Sequence, residues 1–386
     1  MQYFDMRKSG SACSQRKERH IMNPKRDRST IRDIAALSGL SIASISRYFN
    51  GMKVRQETAG KIQAALAQSD YRPNIAAKFM KGQRTGVVGL ILPEISHPFF
   101  AMIAEGAIAE ARESDQLILI SSSMGSRDNE KVAVEQFSRS VLDGLVYIPV
   151  SHPEDIPSLE SFRDLPLVVA GRVDVFPRVP HIYTDNDKGG YIATKYLIKQ
   201  GRRDIGFFGS FWEAPCETRD IREVSRSALA GSYSTVERFK GYLRALDEEG
   251  IPYDPGRVVL CGYGYNNGFE AARTLMARMT SVEGLLVMTS TVGSAAIEGF
   301  RDQGLTVPDD ISVIVFDDDE IMNTSLPRLT SVQLSLRTMG IEAIRSLNRI
   351  LAGEECGNTV IDVHLKIGDS TAAKRAPAAE GRESSR

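Results

Sequence analysis

Four acids in a row, Asp317-Asp318-Asp319-Glu320, follow closely on the apolar run Ile311-Ser312-Val313-Ile314-Val315. Two arginines hold comparable places: Arg172 comes just after Leu167-Val168-Val169, and Arg238 opens the helical stretch Glu237-Arg238-Phe239-Lys240-Gly241-Tyr242. An acid run could chelate a cation. An Asp facing an Arg across a cleft would instead grip hydroxyls or a carboxylate through charge-assisted bonds. The plainer alternative is an ion pair that ties helix to strand. A third arginine, Arg47, sits in a short basic helical block near the front of the chain. Signatures of common enzyme chemistry are missing: there is no Gly-rich phosphate loop at a strand–helix junction, no His-Glu-x-x-His run and no Gly-x-Ser-x-Gly elbow. Cys13, Cys216, Cys261 and Cys356 have no metal-ligand spacing and suggest no disulfide framework. Neither a metal nor a cofactor is expected.

The elements that would position these residues are short continuous apolar strands alternating with amphipathic helices. Strands are expected at 87–92, 117–120, 145–148, 167–169, 205–208, 258–260, 285–287 and 311–315. Unbroken apolar strands separated by helices imply parallel sheets covered on both faces. The pattern runs twice, with a restart after Asp185-Asn186, so the fold class is α/β with two doubly wound subdomains. In such sheets ligands bind beyond the carboxyl ends of the strands. The candidate segments are then Pro93 to Phe100, Ala170-Gly171-Arg172, Gly209 to Tyr233, Met288-Thr289-Ser290 and Phe316 to Asp319.

Residues 29–84 have a different character. Residues 1–85 carry 17 Lys and Arg against 6 Asp and Glu, whereas the rest carries 31 against 43. A basic front on an acidic body points to a polyanion partner for the front alone. Ser29 or Thr30 can cap a first helix, Gly39 suits the turn, and Ser41 can cap a second. Ile45 and Phe49 point inward at i, i+4, with Ile62 and Leu66 of a third helix closing a three-helix core. Ile42, Ala43, Ser44, Ser46 and Arg47 are left for the outward side. This is how a chain presents a helix to the DNA major groove; a bundle with Arg47 on a solvated face is the bland alternative. No apolar run reaches the roughly 18 residues that span a membrane, so a cytoplasmic protein is expected.

The stretches TIRDIAALSGLSIASISRYFN, YRPNIAAKFMKGQRTGVVGLILPEISHPFF and LTVPDDISVIVFDDD resemble the lactose/galactose-repressor family of transcriptional regulators, and the resemblance runs from 29 to about 370. It implies a helix-turn-helix domain, a hinge helix, and a periplasmic-binding-protein-like core. By position it makes Ile42, Ala43 and Arg47 base readers, with Arg47 facing guanine. Thr30, Ser41, Ser46, Asn50 and Lys53 would hold phosphates, which position without specifying. Asn74, Ala77, Lys78, Met80 and Lys81 fall in the hinge, with Met80 where the family has a wedging Leu. Arg238 and Asp317 match ligand contacts, Phe99 and Phe100 an aromatic wall, and His97, Arg172 and Thr289 other cleft positions. Gly171 and Thr289-Ser290 replace acids or amides usual in the family, and His97 replaces an Asn. Losing acids while keeping two arginines favours an anionic effector such as a sugar acid or sugar phosphate. The partners implied are palindromic operator DNA, a small-molecule effector and a second copy of the chain, with no membrane.

The expected organisation is a disordered basic arm (1–28), the helix-turn-helix domain (29–72), the hinge and linker (73–85), a first core subdomain (86–184 with 333–356), a second (185–332 with 357–370), and a disordered tail (371–386). Translation starting at Met6 or Met22 would make part of the arm an artefact; the alternative is an arm that adds phosphate contacts. Residues 211–233, with Trp212, run longer than the family's loop by roughly a dozen residues, beyond a usual connection. They would form a lid, a contact with the partner subunit, or a tolerated insertion. The rival functions are a solute-binding protein and an α/β enzyme on the same core. Met80→Ala should lower affinity for specific operator far more than for non-specific DNA in parallel binding titrations; equal losses would contradict the wedge.

Overall fold

The computed structural model describes residues 29–49, 52–71, 83–149, 155–173, 175–209, 234–278, 280–317 and 319–374. The chain divides into two compact units, Met1–Ile75 and Ala76–Arg386.

The described part of the first unit is three helices: α1 (Ile31–Ser38), α2 (Ile42–Phe49) and α3 (Gln56–Ala67). Ile34, Ile45, Ile62 and Ala65 form its core, with Phe49 and Leu66 packed against it. Asp33 accepts hydrogen bonds from the Thr30 backbone N–H (2.6 Å) and hydroxyl (2.9 Å), closing the first turn of α1. Those bonds hold the Asp33 carboxyl below its ordinary range. Gly39 ends α1 at φ +66°, a left-handed conformation that suits a residue without a Cβ. Ser41 caps α2, its hydroxyl accepting from the Ser44 N–H at 3.2 Å.

The second unit holds two six-stranded sheets. β1 (Val87–Leu92), β2 (Leu117–Ser122), β3 (Gly144–Tyr147), β4 (Leu167–Ala170), β5 (His181–Thr184) and β11 (Thr359–Ile361) form the first, ordered β11-β5-β4-β3-β1-β2. β6 (Ile205–Gly209), β7 (Val258–Leu260), β8 (Gly284–Val287), β9 (Ser312–Phe316), β10 (Thr330–Gln333) and β12 (His364–Lys366) form the second, ordered β12-β10-β9-β8-β6-β7. Neighbours pair in parallel except β12, which runs antiparallel to β10. The central strands are buried along their whole length, as helices on both faces require. Those helices are α4 (Pro98–Glu113), α5 (Arg127–Ser138), α6 (Asn186–Lys199), α7 (Ser234–Glu248), α8 (Tyr265–Ala277), α9 (Ser290–Asp302), the short α10 (Ile321–Thr324) and α11 (Leu336–Leu351).

Three segments cross between the sheets: β5 to α6, β10 to α11, and β11 to β12. The stretch 360–365 divides at Asp362. Its first half pairs with β5 of the first sheet and its second half with β10 of the second, so the second lobe's last segment starts later than 357. Thr371 to Lys374, expected in the tail, belong to the fold. Thr330 N donates to Ser370 Oγ at 2.8 Å, the hydroxyls of Thr330 and Thr371 lie 2.8 Å apart, and Lys374 N donates to Gln200 O at 2.8 Å.

Helices α6 and α7 meet in backbone contact. A Cβ on Gly190 would stand 1.9 Å from the Arg238 carbonyl oxygen, and one on Gly241 2.0 Å from that of Asp187. Gly106 and Gly340 make the same reciprocal contact between α4 and α11, 2.0 Å from the carbonyls of Arg337 and Ile103. Gly268 and Gly299 make a similar contact between α8 and α9, 2.3 Å and 2.8 Å from the carbonyls of Val292 and Phe269, so each lobe has at least one helix pair that only glycine admits. Gly190→Ala should destabilise by about 1–3 kcal/mol, because backbone rather than a flexible side chain must move. Urea unfolding should show a lower midpoint; unchanged or higher stability, the outcome of helix propensity alone, would contradict the contact.

Candidate functional site

The first candidate site is the outer face of α2. Successive helical residues turn by about 100°, which places Ile42, Ser46, Ala43 and Arg47 on one face and Ile45 opposite. Ile45 is fully buried, whereas Ser41, Ile42, Ala43 and Arg47 are exposed and Ser46 half-buried. An isoleucine 46% exposed beside an exposed guanidinium is an unusual solvent face and an ordinary contact face. Thr30 and Lys53 are exposed too, the Thr30 hydroxyl donating to Asp33. Asn50, Asn74, Ala77, Lys78, Met80 and Lys81 lie outside the described residues, as does the 211–233 segment with Trp212.

The second candidate is a cavity of about 290 Å³ at the carboxyl ends of both sheets. From the first lobe it is lined by Pro93, Glu94, His97, Phe99 and Phe100 after β1, by Ile148 and Pro149 after β3, and by Ala170, Gly171 and Arg172 at the end of β4. From the second come Ser234, Thr235 and Arg238 of α7, Tyr263 after β7, Met288 and Thr289 after β8, and Phe316 of β9. Six of the seven expected cleft residues therefore converge on one space.

Arg238 is 5% exposed. Its Nε donates to Asn186 Oδ1 at 2.8 Å, its Nη1 donates to Met288 O at 2.9 Å, and its guanidinium carbon stands 4.6 Å from the centre of the Phe316 ring. The Asn186 amide in turn donates to Thr184 O (3.1 Å) and Thr184 Oγ1 (3.0 Å). Asn186 thus joins the cavity cation to the first crossing between the sheets. Arg172 is also buried, near the interior Glu130 and Tyr147. Burial and the Glu130 carboxylate push the Tyr147 phenol well up, opposed by the Arg172 charge, so it stays protonated. The His97 imidazole, lowered by burial against the pull of Glu94 and Asp319, is neutral at pH 7. Its Nδ1 accepts from Phe99 N at 3.2 Å, which leaves the ring proton on Nε2.

Asp317 departs from expectation. It belongs to the same lobe as Arg238, does not line the cavity and is fully buried behind it. Its Oδ2 accepts from Ser290 N (2.9 Å) and Ser290 Oγ (3.1 Å), and its Oδ1 has no partner among the described residues. Ser290 Oγ also lies 2.6 Å from Asp319 Oδ2, so one hydroxyl proton faces two carboxyl groups. The charged residues that line the cleft are Glu94 and Arg172 from the first lobe and Arg238 from the second. Among the described residues no group of three or more His, Cys, Asp or Glu could hold a metal, and no helix is long and apolar enough to cross a membrane.

Asn186 and Glu130 were not among the sequence candidates. Asn186 follows β5, a strand too short and polar to read as an apolar run, so its carboxyl end is not among those the strand pattern picks out. Glu130, in the first turn of α5, carries no sign in the sequence that sets it apart from a solvated helix acid.

Burial and Asp319 push the Asp317 carboxyl up to about 7 from 3.8, against the hydrogen bonds of Ser290 and the charge of Arg238. The folded state therefore holds an extra proton between these values, and stability should fall as pH rises through that window and level off above it. Asp317→Asn removes the ionisation. The variant should gain stability relative to the parent as pH rises from about 4 to 7. Urea unfolding across that range is the measurement, and a pH-independent difference would contradict the burial argument.

Comparison with known proteins finds matches to both parts of the chain. The profile of bacterial regulatory proteins, lacI family, matches residues 30–74, and that of the periplasmic binding protein-like domain matches 194–371. The HTH-type transcriptional regulator RegA of Clostridium saccharobutylicum is 30% identical over 345 residues, covering 89% of this chain and 99% of RegA. Catabolite control protein A of Priestia megaterium is 27% identical over 339 residues, covering 88% and 97%. The solved complex of the transcriptional regulator CelR with cellobiose has 27% identity and a TM-score of 0.64, covering 89% of this chain and all of that one. A lac repressor dimer bound to operator and the anti-inducer ONPF shares the fold at 20% identity, with a TM-score of 0.74 and coverage of 90% and 100%. These relatives are transcriptional regulators, not enzymes, and this chain belongs to the lacI family of bacterial regulatory proteins as a DNA-binding transcriptional regulator.

Proposed function

We propose that the protein is a cytoplasmic repressor that binds a palindromic operator as a homodimer and changes its operator affinity when a small anionic metabolite fills the cleft. The observation that carries the DNA end is the outer face of α2, where exposed Arg47 stands beside Ala43 and Ile42. Arg47 reads guanine through O6 and N7, and Ile42 and Ala43 make apolar contacts such as to a thymine methyl. Thr30, Ser41, Ser46, Asn50 and Lys53 contact phosphates. Asn74, Ala77, Lys78, Met80 and Lys81 form the hinge in the minor groove, with Met80 as the wedge.

The lac repressor dimer on its operator and CelR with cellobiose support a two-fold regulator with an effector in the cleft. So does the outer edge of the first sheet. β2 is its terminal strand, with Leu117 and Leu119 58% and 42% exposed, an apolar edge that a second copy would cover. His97, Phe99, Phe100, Arg172, Arg238 and Thr289 form the effector site, with Asp317 behind it. An anionic effector suits a cleft that keeps both arginines while Gly171, Thr289 and Ser290 stand where acids or an amide would be.

Arg47→Ala tests the reading and the symmetry together. Operator selection followed by binding titrations should show a loss of about 1–3 kcal/mol and relaxed preference at one G·C pair per half-site, in mirror-related positions. Uniform loss across all sequences, or one unpaired relaxed position, would overturn it.

A further inference from the structure

The effector site has an uneven supply of hydrogen-bonding groups. Arg172 and Arg238 are donors only, and neutral His97 offers its Nε2–H. Among the described lining residues the single carboxylate is Glu94, whose Oε1 accepts from Ser96 Oγ at 2.8 Å, and no Asn or Gln contributes. The Thr289 hydroxyl oxygen already accepts from Val292 N at 3.2 Å. A polyol brings a donor with every hydroxyl, and each buried donor needs an acceptor. A carboxylate brings acceptors alone. Ser234, Thr235 and Tyr263 add three hydroxyls on the second lobe's side, and the rest of the wall is largely apolar: Phe99 and Phe100, edge to face at 5.0 Å, with Ile148, Met288 and Phe316. A space of about 290 Å³ suits one ring or a short chain.

We infer that the effector is a small carboxylate with an apolar body rather than a polyhydroxylated sugar or sugar acid. Its carboxylate lies between Arg172 of one lobe and Arg238 of the other, and its body packs on the Phe99–Phe100 wall. The two arginines come from opposite sheets, so one carboxylate shared between them draws the lobes together. This rests on the proposed effector site and narrows its ligand class.

Calorimetry on the full-length protein with benzoate, cyclohexanecarboxylate, gluconate, glucose and benzyl alcohol separates the two features. Benzyl alcohol lacks the charge of benzoate, and gluconate lacks its apolar body. Benzoate or cyclohexanecarboxylate should bind at least about tenfold tighter than the other three, and Arg172→Gln should erase that preference. Arg172 does not carry the second lobe's packing, and the thermal midpoint of the variant reports whether it folds; Arg238→Lys is the second variant and should weaken the same two ligands. Tighter binding of gluconate or glucose, equal binding of benzyl alcohol and benzoate, or no carboxylate binding at millimolar concentration would each overturn the inference. Operator binding by the same preparation tells these failures apart from a failure of the regulator reading itself.

Discussion

A guanidinium keeps its proton, so burying Arg238 obliges the second lobe to surround a permanent cation with acceptors. The carboxyl ends of that lobe are arranged around this demand. Met288 offers its carbonyl at the end of β8, Phe316 its ring face at the end of β9, and Asn186 its amide oxygen at the start of α6. The backbone of Arg238 is set by the glycine contact between α6 and α7. Asp317 lies behind, and its raised ionisation keeps the charge between cation and carboxyl from being fully compensated near pH 7.

The same residue connects the cavity to the chain crossings. Asn186 bonds Arg238 on one side and Thr184 on the other, and Thr184 ends the last strand before the chain passes between the sheets. At the second crossing Ser335 adopts a left-handed backbone at φ +53°, a costly conformation for a residue with a Cβ. At the third, Lys188 of α6 pairs with Asp362 between β11 and β12. A ligand that alters the setting of Arg238 therefore acts where the two lobes are joined. Linkage makes the effect reciprocal: what ligand does to DNA affinity, DNA does to ligand affinity.

Much of this was legible in the sequence, for physical reasons that differ along the chain. Strands such as Val87–Leu92 are buried on both faces and read as unbroken apolar runs. The three-helix block was marked by Gly39, Ser41 and the i, i+4 pair Ile45 and Phe49. β5 and β10 did not stand out, because His181, Thr184, Thr330 and Ser331 are polar yet buried. Partners far along the chain, such as Ser370 and Thr371, satisfy Thr330. Missing β5 hid Asn186. Asp317 was placed one layer too far forward because strand-end position tells which end of the sheet a residue occupies, not whether Ser290 folds over it. The stretch 360–365, alternately apolar and polar around Asp362 and His364, gives no sign that its two halves serve different sheets.

The central claim is that the cleft and the DNA-reading face form one linked system. Fluorescence anisotropy of labelled operator, titrated with protein in the absence and presence of a saturating carboxylate that binds the cleft, tests it most directly. A coupled system changes operator affinity by about 5- to 150-fold, and operator changes the carboxylate's affinity by the same factor. An operator affinity that moves by less than about twofold at saturation would contradict the account.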